Sequence, residues 1–176
     1  VLAQAGVKAI LYDALRPVPL LSFGVRYFKA FAGVMITASH NPKEYNGYKV
    51  YGGDGAQLAP EAANEVLSQI NRLDYFNIPC AQMEDAQLKG LVIYVGKELD
   101  DAYLSFILPL ADMNVIDKQA KKLKFIYTPL HGSGLNSVKS MFNALGFKNM
   151  QLVPEQCAPD GSFPTVSTPN PENADA

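Results

Sequence analysis

Short apolar runs and longer apolar stripes at helical spacing alternate along the chain, with turn residues between them. The first run, over 7–12, is typical of a strand, and a stripe at i, i+4 and i+7 then predicts a helix over 19–30. A second run, over 34–36, is bounded by turn residues and is typical of a strand buried on both faces. Strand, helix and strand in this order predict a βαβ unit with parallel pairing.

The rest of the chain continues this alternation. A helix is predicted to begin near Pro60, and its buried face would consist of Ala63, Val66, Leu67, Ile70 and Leu73. Periodicity is lost over 74–90. It returns as a short strand over 91–95 and a helical stripe over 99–110, and a second βαβ unit is predicted over 125–153.

The pattern therefore predicts an α/β protein with two three-layer α/β/α domains. Their sheets are expected to be mixed and mainly parallel, and both domains are expected to be incomplete. The predicted first domain covers 1–76, a connection covers 77–90, and the second domain covers 91–176.

Composition narrows the class of partner. The 176 residues carry 15 basic and 17 acidic side chains and a net charge of -2, so no nucleic-acid partner is predicted. No apolar run approaches the roughly 20 residues that span a bilayer, so no membrane partner is predicted either. Cys80 and Cys157 fit neither a disulfide framework nor a zinc motif, which favours reduced thiols and a cytoplasmic location.

The residues that follow the second apolar run carry the candidate chemistry. Ser39-His40-Asn41-Pro42 stands at the predicted carboxyl end of a buried strand, where open α/β sheets place their ligands. Pro42 lacks a backbone donor and predicts a turn. Asn46-Gly47 is a second turn signal, which predicts that Lys49 returns towards Ser39 on a short segment. A hydroxyl and an ammonium group would then face one cleft.

This stretch resembles a known motif. Thr37-Ala38-Ser39-His40-Asn41-Pro42, followed by Tyr45-Asn46-Gly47-Tyr48-Lys49, is similar to the phosphoserine loop of the α-D-phosphohexomutases, the phosphoglucomutase and phosphomannomutase family. Three further stretches match the second domain of that family: Thr128–Gly132, Phe163–Val166 and Pro169–Glu172. The resemblance covers most of the chain, and residues 15–21 and 44–51 look like the phosphoglucomutase–phosphopentomutase branch.

The resemblance implies four domains around one cleft and an enzyme that interconverts sugar 1-phosphates and 6-phosphates. Ser39 matches the phosphoserine, which gives its phosphoryl group to the substrate and recovers one from the bisphosphate intermediate. Lys49 matches the residue that handles the proton of the reacting hydroxyl, and His40 and Asn41 match residues that shape the loop. Glucose phosphate is the first substrate expected, with mannose or pentose phosphates behind it.

The resemblance also implies two small-molecule cofactors. A Mg²⁺ ion would be held by one oxygen of the phosphate on Ser39 and by three aspartates of an Asp-Gly-Asp-x-Asp-Arg loop. Glucose 1,6-bisphosphate would act as the primer that phosphorylates the serine.

The sequence departs from the family at the metal loop, because the chain contains no Asp-x-Asp. We therefore expect the chain to be a piece of a longer mutase. By itself it is expected to be inactive and to bind Mg²⁺ weakly, since that ion needs several oxygen ligands in octahedral positions. Apolar faces left uncovered in such a piece are expected to favour self-association.

Two alternative functions stay open, and so does the role of one turn. A serine hydrolase would use Ser39, although the side chains of neighbours such as Ser39 and His40 diverge on an extended segment. A non-catalytic sugar-phosphate binding module would share the motif without the chemistry. The turn His131–Gly134, which lacks the third glycine of a dinucleotide fingerprint, either holds an anion or only connects a strand tightly to a helix.

Overall fold

The structure, a computed structural model, describes residues 1–174 and confirms an α/β fold with mixed, mainly parallel sheets. Its strands are Ala9–Tyr12 (β1), Ala32–Thr37 (β2), Gly47–Gly52 (β3), Val92–Val95 (β4), Phe125–Tyr127 (β5) and Met150–Leu152 (β6). Its α-helices are Val18–Tyr27 (α1), Pro60–Ile70 (α2), Met83–Leu88 (α3), Lys97–Ile107 (α4), Met113–Gln119 (α5) and Leu135–Ala144 (α6). Asp175 and Ala176, the end of the predicted second domain, lie outside the described residues.

The strands form three two-stranded sheets within the described residues. β1 pairs with β4 and β5 pairs with β6, both in parallel, while β2 pairs with β3 antiparallel. The predicted parallel pairing of the first two strands is therefore wrong, because the neighbour of β1 is β4. β2 instead pairs with the strand that follows it, since the short loop 38–46 allows an antiparallel ribbon and is too short for a parallel crossover.

The main core lies between α1, the β-strands before and after it, and α4. Leu20 and Leu99 are each only 1% exposed, and Phe23 of α1 packs against the rings of Tyr103 and Phe106 on α4. Tyr12 at the end of β1 donates its hydroxyl to the Leu20 carbonyl at 2.6 Å. Burial raises the pKa of Tyr12 to about 12, so the phenol stays protonated and keeps this donor at neutral pH.

Only one face of β2 is covered by the described residues, so the prediction of a strand buried on both faces is wrong. Gly33 is buried against α1, where a Cβ atom would lie 2.5 Å from the Val25 side chain. The alternate positions Val34 and Ile36 are 43% and 68% exposed. Side chains alternate between the faces of a strand, and α1 packs against one face alone.

The helix predicted at Pro60 forms, but its predicted buried face does not. Pro60 occupies the first turn, where its fixed φ suits a helix start. Val66, Leu67 and Leu73 are 36%, 52% and 54% exposed, and no residue of the helix is buried. The apolar periodicity thus predicted the helix correctly, whereas burial depends on a partner that the pattern does not encode.

The second predicted βαβ unit is confirmed. β5, α6 and β6 follow in order, with β5 and β6 in parallel register from Phe125↔Met150 to Tyr127↔Leu152. Phe125 packs on Phe142 and Phe147 with ring centroids 4.7 and 5.7 Å away, which holds the helix on the strand. The short helix α5 was not predicted; its N-cap is Asp112, whose carboxylate accepts from the Asn114 amide at 3.0 Å.

The division into domains at 76 and 91 stays a prediction, although contacts cross the predicted boundary. β4 and α4 belong by sequence to the predicted second domain, yet β4 lies beside β1 and α4 packs on α1. Arg16 also reaches across to Asp100 with Nε–Oδ1 and Nη2–Oδ2 distances of 2.7 and 2.8 Å.

None of the helices within residues 1–174 has the length and apolar character needed to cross a membrane.

The close contact between β2 and α1 leads us to expect that a larger residue at Gly33 lowers the stability of the fold. Gly33→Ala places a methyl group against the stiff Val25 side chain, so we expect the free energy of unfolding to fall by about 1–3 kcal/mol. Gly161→Ala is the control, because a Cβ there meets no atom within 4 Å. Urea denaturation of both variants tests this; equal midpoints would show that the ribbon does not rest on α1 at Gly33.

Candidate active site

The predicted site residues fall in an exposed loop and on the strand that follows it. Loop 38–46 joins β2 to β3, and its residues Ser39, His40 and Asn41 are all exposed. The amide of Asn41 donates to the Ala38 carbonyl at 3.0 Å and closes a tight turn with Ser39 inside it. Ser39 has φ of 58°, in the left-handed region that non-glycine residues rarely adopt.

The turn predicted at Asn46-Gly47 is in a different place. Gly47 is already the first residue of β3 and pairs with Thr37, so the chain reverses within the loop before it. Glycine is required at this register position for a steric reason. A Cβ atom on Gly47 would lie 2.8 Å from the Thr37 carbonyl oxygen.

Lys49 returns along the ribbon as the sequence predicted. It lies on β3 opposite Met35, and it is half-buried. Directly opposed residues of an antiparallel pair share a face, so Lys49 lies on the same face as Met35. Thr37 is two residues after Met35 and therefore projects from that face too. Both lie near the end of the ribbon that carries Ser39.

Among residues 1–174, the hydrogen-bond partner of the Ser39 hydroxyl is the imidazole of His40. The distance from Ser39 Oγ to His40 Nδ1 is 3.4 Å, at the long limit for a hydrogen bond. Within the described part of the chain, no carboxylate hydrogen-bonds to His40. The pair therefore lacks the oriented base of a serine hydrolase.

A second loop lies within electrostatic range of the Ser39 loop. Asp160 accepts from both the amide and the hydroxyl of Ser162, at 2.8 and 2.7 Å. These hydrogen bonds lower the pKa of Asp160, and the positive charge of Lys43 in the Ser39 loop adds to the effect.

His131, in the turn before α6, has a partner on each ring nitrogen. Its side chain is buried, at 4% exposure, with Nδ1 3.1 Å from the Ala158 carbonyl and Nε2 2.9 Å from the Thr165 hydroxyl. Since a carbonyl only accepts, Nδ1 carries the proton and Nε2 accepts from Thr165. The backbone amides of His131 and Gly132 also have acceptors, the carbonyls of Gln156 and Pro129, so the arrangement favours a tight connection over an anion site.

The hydrogen bonds continue from His131 into a chain of side chains. The Gln156 amide donates to Thr165 Oγ1 at 3.1 Å, its carbonyl oxygen accepts from the Thr128 hydroxyl, and Thr128 Oγ1 accepts from the Leu130 amide at 2.9 Å. Each donor in this series has an acceptor. Sequence reasoning missed this network, because its partners are as much as 34 positions apart and follow no local pattern.

Arg16 is another residue whose environment the sequence does not reveal. Its side chain is 10% exposed and bonds both Asp100 and Asp13. The hydrogen bond that it donates to Asp100 raises the pKa of Arg16 above its already high ordinary value, so the guanidinium stays charged. With its N–H groups engaged in this way, Arg16 stabilises the contact between the β1–α1 connection and α4.

Two cavities lie away from the Ser39 loop. One of about 60 Å³ lies between the α1, α4 and α6 segments, lined by Arg16 and Ser137 among others. Another of about 280 Å³ lies beside Gln4 and Cys80. Neither is lined by a residue of 38–49, and Ser39 itself is exposed.

The described residues do not fit a magnesium site on their own. No group of three or more His, Cys, Asp or Glu side chains within 1–174 is close enough to hold a metal ion. Beside Ser39 stand an imidazole and an amide, whereas Mg²⁺ prefers several fixed oxygen ligands.

Comparison with known proteins agrees with this fold. The family model described as phosphoglucomutase/phosphomannomutase, alpha/beta/alpha domain I matches residues 1–76, and that for domain II matches residues 101–176. Phosphoglucomutase from Staphylococcus epidermidis is 40% identical over 176 residues, covering 98% of this chain and 31% of that protein. A Haemophilus influenzae protein assigned as a phosphomannomutase is 36% identical, covering 100% of this chain and 35% of that protein.

A solved structure extends the similarity to three dimensions. The crystal structure of a Thermus thermophilus protein assigned as a phosphomannomutase matches with a TM-score of 0.69 and 27% identity, over 94% of this chain and 34% of that one. The class defined here is an α/β protein with a serine exposed at the tip of a strand ribbon. Within that class, the chain belongs to the α-D-phosphohexomutases, the phosphoglucomutase and phosphomannomutase family. It spans about a third of the length of the relatives it matches.

The two histidines of the chain are predicted to respond differently to substitution. His131→Ala leaves the Thr165 hydroxyl and the Ala158 carbonyl without their partner, so we expect the free energy of unfolding to fall by about 1–3 kcal/mol. His40→Ala, at an exposed loop position, is expected to change it by less than about 0.5 kcal/mol. Thermal and urea unfolding measure both; similar losses in the two variants would contradict the structural role of His131.

Proposed function

We propose that the whole protein is a sugar phosphomutase that interconverts hexose 1-phosphate and hexose 6-phosphate, with glucose as the first candidate sugar. The observation that carries this proposal is Ser39, exposed in a strained turn at the end of a strand ribbon, in a chain of the phosphohexomutase family. The relative from Staphylococcus epidermidis, named a phosphoglucomutase, supports glucose as the first candidate sugar.

In the proposed reaction, phosphorylated Ser39 is the phosphoryl donor. A sugar hydroxyl oxygen forms a bond to phosphorus as the bond from phosphorus to Ser39 Oγ breaks, which gives a sugar bisphosphate. The bisphosphate then returns its other phosphoryl group to Ser39 by the same exchange in reverse. An exposed loop suits this cycle, because the serine must meet both ends of the sugar.

Three further residues have proposed roles. Lys49 accepts the proton of the attacking hydroxyl and returns it to the leaving oxygen, and its place on the Thr37 face of the ribbon supports this role. His40 and Asn41 shape the loop: His40 neighbours the serine hydroxyl, and the Asn41 amide closes the turn.

The cofactors proposed for the whole protein are Mg²⁺ and glucose 1,6-bisphosphate. When bound, Mg²⁺ supplies positive charge beside the phosphate on Ser39. Its aspartate ligands are not among these 176 residues, so the polypeptide 1–176 alone is expected to be inactive. The proposed partner is a sugar phosphate in the cytoplasm, and the exposed apolar positions of β2 and α2 support self-association of the isolated polypeptide.

Ser39→Ala tests the nucleophile. In the full-length protein we expect mutase activity to fall on the order of 10³-fold or more, because no other group in the loop offers an equivalent hydroxyl. The assay couples glucose 1-phosphate turnover, with Mg²⁺ and bisphosphate primer, to glucose 6-phosphate dehydrogenase. Ser105→Ala, at an exposed position on α4, is the control and should retain wild-type activity. A Ser39→Ala protein with more than a tenth of wild-type activity would refute the proposal.

Lys49→Met tests the proton-transfer role. Methionine keeps much of the side-chain length and removes the charge, so turnover is expected to fall on the order of 10²–10⁴-fold, as for lost general acid–base catalysis. Lys148→Met, at an exposed position outside the helices and strands, is the matched control. Turnover of the Lys49 variant within about twofold of the control would make Lys49 an ordinary strand residue.

A further inference from the structure

We propose that Thr37 is a positioning residue for the phosphoryl transfer by Ser39; this inference rests on the proposed function of that serine. Its hydroxyl oxygen accepts the Ser39 amide hydrogen, with an N–O distance of 2.9 Å. The geometry thus assigns to Thr37 the task of holding Ser39 in its left-handed conformation.

That conformation needs support, because Ser39 has a φ of 58° and a side chain that makes this region unfavourable. Two hydrogen bonds hold the turn from opposite sides. One is the Asn41 amide bonded to the Ala38 carbonyl at 3.0 Å, and the other is the Ser39 amide bonded to Thr37 Oγ1. The bond between Asn41 and Ala38 can form with any side chain at position 37. The bond from the Ser39 amide requires an acceptor oxygen on the side chain at that position.

Strand pairing holds Thr37 in place, so its hydrogen bond to Ser39 can fix the position of the loop. It is the last residue of β2 and is paired with Gly47 at the end of the ribbon. Its side chain is half-buried on the face that also carries Lys49. The Ser39 amide is thereby tied to the same rigid surface from which the proposed proton-transfer group extends.

Misplacement of a reacting group by about 1 Å costs on the order of 10²-fold in rate. Loss of the Thr37 acceptor would let Ser39 relax towards extended backbone and move its hydroxyl away from the productive position. The hydroxyl of Thr37 is therefore expected to act on turnover more than on substrate binding, since it bonds the serine backbone.

The test compares two full-length variants. Thr37→Val keeps the shape and removes the acceptor, while Thr37→Ser keeps the acceptor and removes the methyl group. We expect Thr37→Val to lower kcat roughly 10–100-fold with KM changed less than about threefold. Its Ser39 should be phosphorylated more slowly by glucose 1,6-bisphosphate in intact-mass measurements. Thr37→Ser should recover kcat to within about threefold of wild type, although its strand propensity is lower.

Crystal structures of the two variants supply a readout independent of activity. The φ of Ser39 should leave the left-handed region in Thr37→Val and remain there in Thr37→Ser. Unchanged φ in Thr37→Val, kcat within about twofold of wild type, or failure of Thr37→Ser to rescue would overturn the inference while the proposed function stands. Wild-type mutase turnover with no phosphate on Ser39 would instead overturn the proposed function, and this inference with it.

Discussion

The antiparallel pairing of β2 with β3 is the constraint on which the candidate site depends. Its register, Thr37 opposite Gly47 and Met35 opposite Lys49, fixes both ends of the loop that carries Ser39. The ribbon in turn rests on α1 through the close contact at Gly33. The exposed loop 38–46 would otherwise sample many conformations, and a reacting hydroxyl loses rate when its position is not fixed.

Contacts between residues far apart in sequence connect the ribbon and α1 to the rest of the chain. The parallel pairing of β1 with β4 and the Arg16–Asp100 ion pair join α1 to α4, so the support of the ribbon includes residues far along the sequence. The network around His131 fixes the segment that contains Asp160.

Much of the fold follows from local signals, and the differences have physical causes. Helical periodicity and an early proline predicted α2, but its apolar face is exposed because burial requires a partner element. The parallel prediction for β2 failed because strand order is set by loop length and by competition for sheet edges. At the site, the motif placed Ser39 and Lys49 correctly on a loop and a return strand. The left-handed turn and the Thr37 contact are local, since Thr37 bonds the amide two residues further on, but threonine at a strand end does so only in some sequences and the motif alone did not predict it.

Localisation of the phosphate shows directly whether Ser39 carries the phosphoryl group that is transferred. The full-length protein is incubated with glucose 1,6-bisphosphate, digested, and mapped by tandem mass spectrometry, with a second sample chased by excess glucose 1-phosphate. We expect a single phosphate on Ser39 that appears with the primer and is lost to the sugar during the chase. Stable phosphorylation confined to another residue, with Ser39 unmodified throughout turnover, would contradict it.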